Sequence, residues 1–214
     1  MTSTARSRTL GAVLYPQFEL LDLYGPLEMF GSLGPELSIA TVAEARGAVA
    51  SAQGPEALAR FDFADCPPLD LVLLPGGIGT LAQLDNAALH AFLRERAAKA
   101  ALTMSVCSGS AILARAGLLD GRRATSNKMF FQLAASQSDR VDWVERARWV
   151  EDGSFMTSSG VSAGMDMALA AIARLFGRER AQRIADATEY EWHTDPDRDP
   201  FHRFLNQGAR LAGG

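Results

Sequence analysis

The chain has 214 residues, 48% of them hydrophobic and 21% charged, with a formal net charge of −4. The length suffices for a domain with a substantial core, and the acidic balance argues against a nucleic-acid partner, which needs a basic face. No apolar run approaches the ~20 residues of a membrane-spanning helix, and the short apolar segment 9–15 indicates a first strand rather than a signal sequence.

Strand-like and helix-like segments alternate along the chain. The predicted strands are 10–15, 37–42, 70–74 and 102–106, and a hairpin is predicted for 143–150 and 154–158. The predicted helices are 19–31, 86–100, 108–116, 128–135, 162–176 and 178–187. The first is predicted to be interrupted at Gly25-Pro26, and Asp85 or Asn86 is the predicted cap of the second. The tail from Asp195 is predicted to be weakly helical. This alternation predicts an α/β fold with a mostly parallel sheet covered on both faces.

Cys107 is the most informative residue, because it lies between a predicted strand and a predicted helix. The small residues Ser108-Gly109-Ser110 follow it, which is the layout of a nucleophile elbow. The N-terminus of the following helix favours thiolate over thiol, and the thiolate is the reactive form. The alternative is a buried core cysteine, but the small neighbours and the change from strand to helix favour a nucleophile.

Asp22 is a second candidate, because it lies among leucine and aromatic residues. One interpretation is a helix cap or a surface acid. The other is a desolvated carboxyl with a raised pKa that holds and moves a proton beside Cys107. Glu19 is the nearest competitor for that role.

The segment Pro75-Gly76-Gly77 follows a strand that is predicted to be buried. Ligands of α/β sheets bind at the carboxyl ends of strands. The backbone N–H groups of Gly76, Gly77 and Ser108 therefore predict an oxyanion hole. A simple strand-ending turn is the alternative.

The other polar candidates are weaker. None of the three histidines adjoins Cys107: His90 is predicted on a helix surface, and His193 either borders the cleft or has the structural role that its acidic and aromatic surroundings favour. Cys66 has no helix behind it and is predicted to be structural. Two thiols without an export signal predict a reducing, cytoplasmic location, and no cluster of residues has the spacing of metal ligands.

Five motifs together resemble the ThiJ/PfpI superfamily over residues 10–190. The motifs are Leu21-Asp22-Leu-Tyr-Gly25-Pro26, Leu73-Leu-Pro75-Gly76-Gly77, Ser105-Val-Cys107-Ser108-Gly109-Ser110, segment 116–125, and Ser159-Gly160-Val-Ser162-Ala-Gly164-Met-Asp166. The resemblance implies a flavodoxin-like three-layer sandwich of the class I glutamine-amidotransferase type. It also implies one domain over residues 1–214, with 1–8 and 196–214 as terminal extensions. Within the superfamily the chain looks most like the isonitrile hydratase branch, because the Asp22 motif, segment 63–70 and the hydroxyl after Cys107 match.

The resemblance also implies roles for individual residues. Cys107 is the implied nucleophile and Asp22 the implied proton-handling acid. The implied oxyanion and substrate-binding residues are Gly77, Ile78, Ser108, Gly160 and Val161. The chain departs from the branch at Ser126-Asn127-Lys128, where close relatives have Thr-His-Trp, and in segment 190–197.

The activity that the resemblance implies is hydration of isonitriles to N-substituted formamides through a covalent thioimidate on Cys107, with no metal or organic cofactor. Two alternatives stay open: a glyoxalase- or hydrolase-type reaction on small carbonyl compounds, and a non-enzymatic redox or stress sensor in which Cys107 is oxidised. PfpI-type peptidases have His directly after the nucleophile, whereas Ser108 stands there in this chain. AraC-type regulators append a helix-turn-helix module, for which the chain is expected to be too short.

The expected partners are a small-molecule substrate and a second copy of the chain, with neither nucleic acid nor membrane. Many members of the superfamily form homodimers. Segment 18–24 has more apolar groups than one face of a short exposed element can present, so part of it is expected to be covered by a second subunit. These groups are Phe18, Leu20, Leu21, Leu23 and Tyr24.

Overall fold

The structure, a computed structural model, describes residues 7–208, in which strands and helices alternate. The strands are β1 (Arg8–Val13), β2 (Leu37–Ala43), β3 (Gly47–Ala50), β4 (Glu56–Ala59), β5 (Phe61–Asp62), β6 (Leu71–Leu74), β7 (Leu102–Ser105), β8 (Arg123–Ala124), β9 (Asp142–Trp143), β10 (Trp149–Asp152) and β11 (Phe155–Ser158). The α-helices are α1 (Leu20–Gly31), α2 (Thr80–Gln83), α3 (Ala87–Ala97), α4 (Gly109–Arg115), α5 (Phe131–Ala135), α6 (Ala163–Phe176) and α7 (Arg178–Ala187). Two 3-10 turns lie at Gly34–Glu36 and Pro200–Phe204.

A seven-stranded sheet has the order β10-β11-β7-β6-β1-β2-β5. Neighbouring strands pair in parallel, except that β10 is antiparallel to β11. Parallel strands are joined through helices that cover the sheet, so a central strand is apolar throughout. All four residues of β6 are buried, as this rule requires. The predicted α/β class and the flavodoxin-like, mostly parallel architecture are confirmed.

Successive side chains of the strands pack into two different cores, because they point to opposite faces of the sheet. In β6, Val72 and Leu74 belong to the core that contains the apolar residues of α3 and α4. Leu71 and Leu73 belong to the second core, which contains those of α1, α6 and α7. The result is a helical layer on each face of one sheet.

Helix α1 differs from the sequence prediction, since it runs through Gly25-Pro26 without interruption. Proline removes one hydrogen bond from a helix interior, so the continuity must be stabilised by packing. The pair lies against α6 at close range: a β-carbon on Gly25 would be 2.9 Å from Cγ of Met165, and one on Gly164 would be 3.2 Å from Cγ of Pro26. This tight contact between α1 and α6 compensates for the proline.

Some elements are absent from the sequence prediction or shorter than predicted. The antiparallel pair β3–β4 and helix α2 were not predicted; the two strands are rich in alanine, which has low β propensity. In the predicted hairpin, Trp143 instead belongs to β9, which pairs with β8, and only β10 and β11 form the turn around Gly153. The predicted Asn86 cap of α3 is confirmed, because its side chain accepts from the N–H of Leu89.

Residues 196–208 lie against the rest of the fold. The N–H of Arg148 donates to the carbonyl of Pro196 (2.6 Å), and those of Asn206 and Gly208 donate to the carbonyls of Lys128 and Met129 (2.8 and 2.9 Å). This segment therefore braces the chain between β8 and α5. Across residues 7–208, every helix is too short or too polar to cross a membrane.

Candidate functional site

Cys107 lies on a strained turn between β7 and α4. Its φ angle is 57°, in the left-handed region that costs a non-glycine residue of order 1–3 kcal/mol. Neighbouring groups hold this conformation: its N–H donates to the carbonyl of Ser158 (3.2 Å), and its carbonyl accepts from the hydroxyls of Ser110 (3.2 Å) and Ser126 (3.0 Å). The strand–turn–helix geometry predicted from the sequence is present.

The thiol of Cys107 is less acidic than the sequence suggested. Burial raises its pKa well above the ordinary value, and the negative charge of Asp22 raises it further. Hydrogen bonds to the sulfur from the Ser108 N–H, the Asn127 side chain and the Ser108 hydroxyl lower the pKa only in part. The effect of the helix N-terminus is therefore outweighed by desolvation, and the resting group is a thiol.

Asp22 lies within the first turn of α1, and its side chain is completely buried. Its Oδ2 accepts from the N–H of Gly76 (2.9 Å), across the site rather than within its own helix. A role as helix cap is thereby excluded. Oδ1 has no hydrogen-bond partner among residues 7–208 by its geometry, yet the Cys107 thiol is near enough for each group to influence the pKa of the other.

Burial raises the pKa of Asp22 well above the usual carboxyl range, and the charge of Glu19 adds to this, while the Gly76 N–H and the Cys107 thiol lower it in part. The sequence interpretation of a desolvated carboxyl beside Cys107 agrees with this geometry. A carboxyl of this kind can hold a proton at a pH where an exposed one cannot, which is a requirement of a general acid.

At Gly76-Gly77 the backbone passes close to the backbone of residues 17–19. At Gly77 the φ angle is +126°, and a β-carbon would lie 2.5 Å from the carbonyl oxygen of Gln17, so only glycine fits. The amide of Gly76 donates to Asp22, and that of Gly77 donates to Oγ of Ser108 (3.1 Å). Two of the three donors predicted for an oxyanion hole are therefore engaged within the protein, and the third, the amide of Ser108, lies at the sulfur of Cys107.

Asn127 belongs to the site, although the sequence marks it only as a difference from close relatives. Its side chain is one of the groups that lower the pKa of Cys107 by hydrogen bonding to the sulfur. A β-carbon on Gly160 would overlap Nδ2 of Asn127 and lie 3.1 Å from Sγ of Cys107. The signal in the sequence was position: Asn127 follows the carboxyl end of a strand, β8, that was not predicted.

A cavity of about 510 Å³ opens on Cys107. Its wall is mostly apolar, with Glu19 as its acidic residue. It is lined by Glu19, Ala52, Gly77, Ile78, Leu81, Cys107, Ser108, Asn127, Met129, Phe130, Leu133 and Val161. Of the sequence-predicted site residues, the cavity wall includes Cys107, Gly77, Ile78, Ser108 and Val161, and Gly160 lies beside the sulfur. A pocket of this size and lining suits a small molecule with an apolar substituent.

The histidines lie away from the sulfur. The ring of His193 is about half exposed, and its backbone N–H donates to Oδ1 of Asp166 (3.0 Å), so His193 does not border the Cys107 cavity. His90 was expected on a helix surface, but it is buried with Nε2 3.0 Å from the carbonyl of Gln83, because α2 packs over it. Within the described residues, no three His, Cys, Asp or Glu side chains are placed to hold a metal ion.

A buried charge cluster lies behind the cavity wall. Nζ of Lys128 donates to Oγ1 of Thr125 (2.8 Å) and the carbonyl of Ala147 (2.7 Å), and it lies 3.9 Å from the carboxylate of Asp199. Arg148 lies 3.7 Å from Asp199. Desolvation lowers the pKa of Lys128 to about 8. Through Lys128, the cluster links the segment that contains Asn127 to Asp199 in the C-terminal segment.

The pH dependence of stability is expected to report on this lysine. In the unfolded chain Lys128 keeps its proton up to about pH 10.4, whereas in the folded chain it loses the proton near pH 8. The unfolded state therefore binds more protons between these values, so raising the pH favours folding by about 1.4 kcal/mol per unit. Relative to a Lys128→Met variant, the wild type should gain free energy of unfolding from pH 8 to pH 10.

Urea denaturation of both proteins at pH 7, 8, 9 and 10 measures this difference. Below pH 8 the lysine is protonated in both states, so the difference should be constant there. The tyrosines titrate alike in both proteins and cancel in the comparison. A difference that stays constant from pH 7 to pH 10 would show that Lys128 is not desolvated as described.

Comparison with known proteins places the chain among relatives. The profile of the DJ-1/PfpI family matches residues 11–174. Isonitrile hydratase of Pseudomonas putida is 36% identical over 186 residues, 85% of this chain and 78% of the relative. Protein DJ-1alpha of Drosophila melanogaster is 29% identical over 133 residues, 62% of this chain and 57% of the relative.

Comparison of the structures indicates the same family. The crystal structure of a ThiJ/PfpI family protein from Pseudomonas syringae superposes with a TM-score of 0.81 at 32% identity, covering 100% of this chain and 93% of that one. The family profile runs from β1 into α6 and so includes the turn that holds the cysteine. By sequence and by fold, the chain belongs to the DJ-1/PfpI family.

Proposed function

We propose that the protein hydrates isonitriles to N-substituted formamides, with Cys107 as nucleophile and Asp22 as the group that moves protons. The observation that carries the proposal is the buried carboxyl of raised pKa beside a buried thiol, the thiol lining an apolar cavity. The 36% identity with an isonitrile hydratase supports the same substrate class. An isonitrile is uncharged, and so are a protonated Asp22 and a Cys107 thiol.

The first step forms a bond between sulfur and carbon. The terminal carbon of an isonitrile has a lone pair, and it accepts a proton from the Asp22 carboxyl. The sulfur of Cys107 then bonds to this carbon, and the thiol proton passes to the Asp22 carboxylate. The product is a thioimidate, R–N=CH–S–Cys107, and Asp22 is protonated again.

The second step consumes one water. The water oxygen bonds to the thioimidate carbon, Asp22 gives its proton to the nitrogen, and the carboxylate takes one proton from the water. The carbon–sulfur bond then breaks with its electron pair going to sulfur. The hydroxyl proton passes through Asp22 to the sulfur, which releases R–NH–CHO and the free thiol. The Ser108 amide, which lies at the sulfur, is the backbone donor for the negative charge that returns to sulfur as the carbon–sulfur bond breaks.

The lining of the cavity indicates which isonitriles fit. Ile78, Leu81 and Phe130 are large apolar side chains that are 50% exposed or more, and they line the cavity. Exposed apolar surface at a pocket is a common mark of a ligand site. We therefore propose that the N-substituent is apolar, such as an aryl or a branched alkyl group.

The test is to incubate the protein with aryl and alkyl isonitriles in ¹⁸O-labelled water and to identify products by mass spectrometry. The proposal expects the N-substituted formamide with one labelled oxygen, at a rate above that of buffer. Methylglyoxal without glutathione is assayed in parallel. Turnover of methylglyoxal, with none of several isonitriles consumed, would overturn the proposal in favour of a glyoxalase-type enzyme.

One observation argues against the sensor alternative. Peroxide oxidises the thiolate rather than the thiol, and both burial and Asp22 raise the pKa of Cys107. Rapid oxidation of Cys107 to a stable sulfinic acid is therefore not expected under mild peroxide. Mass spectrometry of the peroxide-treated protein measures this directly.

We also propose that the protein forms a homodimer through the α1 region. Two of the apolar groups that were expected to need a second subunit, Phe18 and Leu23, are buried within the subunit itself. Leu21 and Tyr24 stay exposed, at 41% and 46%, on one face of α1. Sedimentation velocity should give a dimer at micromolar concentration and a monomer for Leu21→Glu/Tyr24→Glu. A wild-type monomer at that concentration would contradict this assembly.

A further inference from the structure

Asn127 has a fixed orientation in the wall of the cavity. Its Oδ1 accepts a hydrogen bond from the backbone N–H of Phe130 (3.0 Å). Because one end of the amide is an acceptor and the other a donor, this bond assigns the two ends. The oxygen faces α5, and Nδ2 is the end that faces Gly160 and Cys107.

Gly160 lies next to both the Nδ2 atom of Asn127 and the sulfur of Cys107. A β-carbon at Gly160 would overlap Nδ2 of Asn127 and would lie 3.1 Å from Sγ of Cys107. The two atoms therefore flank the same small volume, which is free only because residue 160 is glycine. Asn127 also lines both the Cys107 cavity and the neighbouring cavity of about 290 Å³.

Asn127 differs from the other side-chain donor at the sulfur. The Ser108 hydroxyl is 2.9 Å from Oγ1 of Thr80 and 3.1 Å from the N–H of Gly77, so its hydrogen-bonding capacity is divided. Nδ2 of Asn127 has no oxygen acceptor within the described residues, and the sulfur of Cys107 lies across the small space at Gly160. Asn127 is thus the side chain whose donor is free to serve Cys107, and its amide lowers the pKa of the thiol.

We propose that Asn127 is a positioning residue for the nucleophile: its amide nitrogen donates to the sulfur of Cys107, stabilises the thiolate and holds it towards the cavity. The inference rests on the proposed function for its catalytic meaning, and it adds a third residue to the same site. A neutral amide suits this place, because it stabilises a transient thiolate without adding a further charge beside Asp22. A second carboxylate here would disfavour the thiolate.

The test measures the pKa of Cys107 in the whole protein from the pH dependence of its alkylation by iodoacetamide. Peptide mass spectrometry separates Cys107 from Cys66. A hydrogen bond to a charged group contributes roughly 1.5–3 kcal/mol, so Asn127→Ala should raise the pKa of Cys107 by about one to two units. Alkylation at a pH below both values should fall ~10- to 100-fold.

Asn86→Ala is the matched control. The Asn86 oxygen accepts from the N–H of Leu89 (3.0 Å), three residues on, as Asn127 accepts from Phe130. Both variants lose a side-chain acceptor for a backbone N–H, but Asn86 lies away from the sulfur, at the start of α3. The Cys107 profile of Asn86→Ala should coincide with that of the wild type. A wild-type profile for a folded Asn127→Ala would overturn the proposal.

Asn127→Asp keeps the acceptor for Phe130 and replaces the donor with a charge. Asp22 and Tyr15 are the titratable groups that already interact with Cys107, and they are unchanged in the variant. The pKa of Cys107 should rise further than in Asn127→Ala. An unchanged profile in this variant would also count against the proposal.

Gly160→Ala tests the same contact by adding a methyl group next to both Asn127 and Cys107. The added methyl group displaces Nδ2, so this variant should reproduce the slow alkylation of Asn127→Ala. In the double variant the methyl group no longer meets Nδ2, and only its 3.1 Å contact with Sγ stays, so the two effects should be less than additive. Full additivity would contradict the inference. None of these measurements uses an isonitrile, so failure of the proposed function, seen as no formamide, is distinguishable from failure of this inference.

Discussion

Cys107→Ala is expected to abolish both the covalent adduct with an isonitrile and the turnover. The sulfur forms the only bond between protein and substrate in the proposed reaction, so no other side chain can replace it. Loss of a nucleophile from a site that acts as a unit costs roughly 10⁴- to 10⁶-fold in rate. Product formation by chromatography and adduct formation by intact-mass spectrometry both measure it.

Cys66→Ala is the matched control, because Cys66 is also a buried free cysteine. Burial raises the pKa of its thiol as well, but its Sγ donates to the carbonyl of Pro67 (3.4 Å), and it does not line the Cys107 cavity. Turnover should stay within about twofold of the wild type. Equal losses in the two variants would mean that the chemistry does not depend on Cys107 specifically.

Asp22→Asn is expected to change two measurements in opposite directions. The amide oxygen can still accept from Gly76, so the fold should be kept. Once ionised, Asp22 is one of the two causes that raise the pKa of Cys107, so alkylation of the variant should become faster at any pH where the wild-type carboxyl is ionised. Turnover should fall by ~10²–10⁴, because an amide cannot give or take the protons of the reaction.

Faster alkylation together with slower turnover would distinguish a proton-transferring Asp22 from a carboxyl with only a structural role. A structural carboxyl would lose alkylation and turnover together as the site is disturbed, or leave both unchanged. Circular dichroism and urea denaturation confirm that the variant is folded. Wild-type turnover in folded Asp22→Asn would eliminate the proton-transfer role, and slower alkylation would contradict the electrostatic account of the thiol.

The sequence was sufficient for the parts of the site that local chemistry marks. Cys107 is identifiable because a strand, a run of small residues and a helix follow in order, and the turn has the φ angle of 57° that such a layout requires. Asp22 is identifiable as a candidate because a carboxyl among leucines is unusual, since carboxylates are seldom buried without a partner. The alternating pattern also predicts the central sheet, since its strands are short apolar runs between turns.

The rest depends on contacts between distant segments. Asn127 faces Cys107 only because β8 and β11 end at the same place, and β8 is too short to be recognised in the sequence. The engagement of the Gly76 amide depends on Asp22, which is 54 positions away in the chain. The raised pKa of Cys107 follows from burial in the assembled fold, whereas the sequence indicated only the helix behind it.

The bracing of the cavity wall by the C-terminal segment has a consequence for how such a protein diversifies. The nucleophile and its acid are fixed by buried backbone contacts of β7, α1 and the Gly76-Gly77 turn. The apolar wall at 129–133 is a separate segment, tied to residues 206 and 208. Substitutions in the wall and its brace can therefore reshape the pocket for new substituents while the reactive pair stays intact. Substrate range is expected to drift faster than chemistry in descendants of this chain.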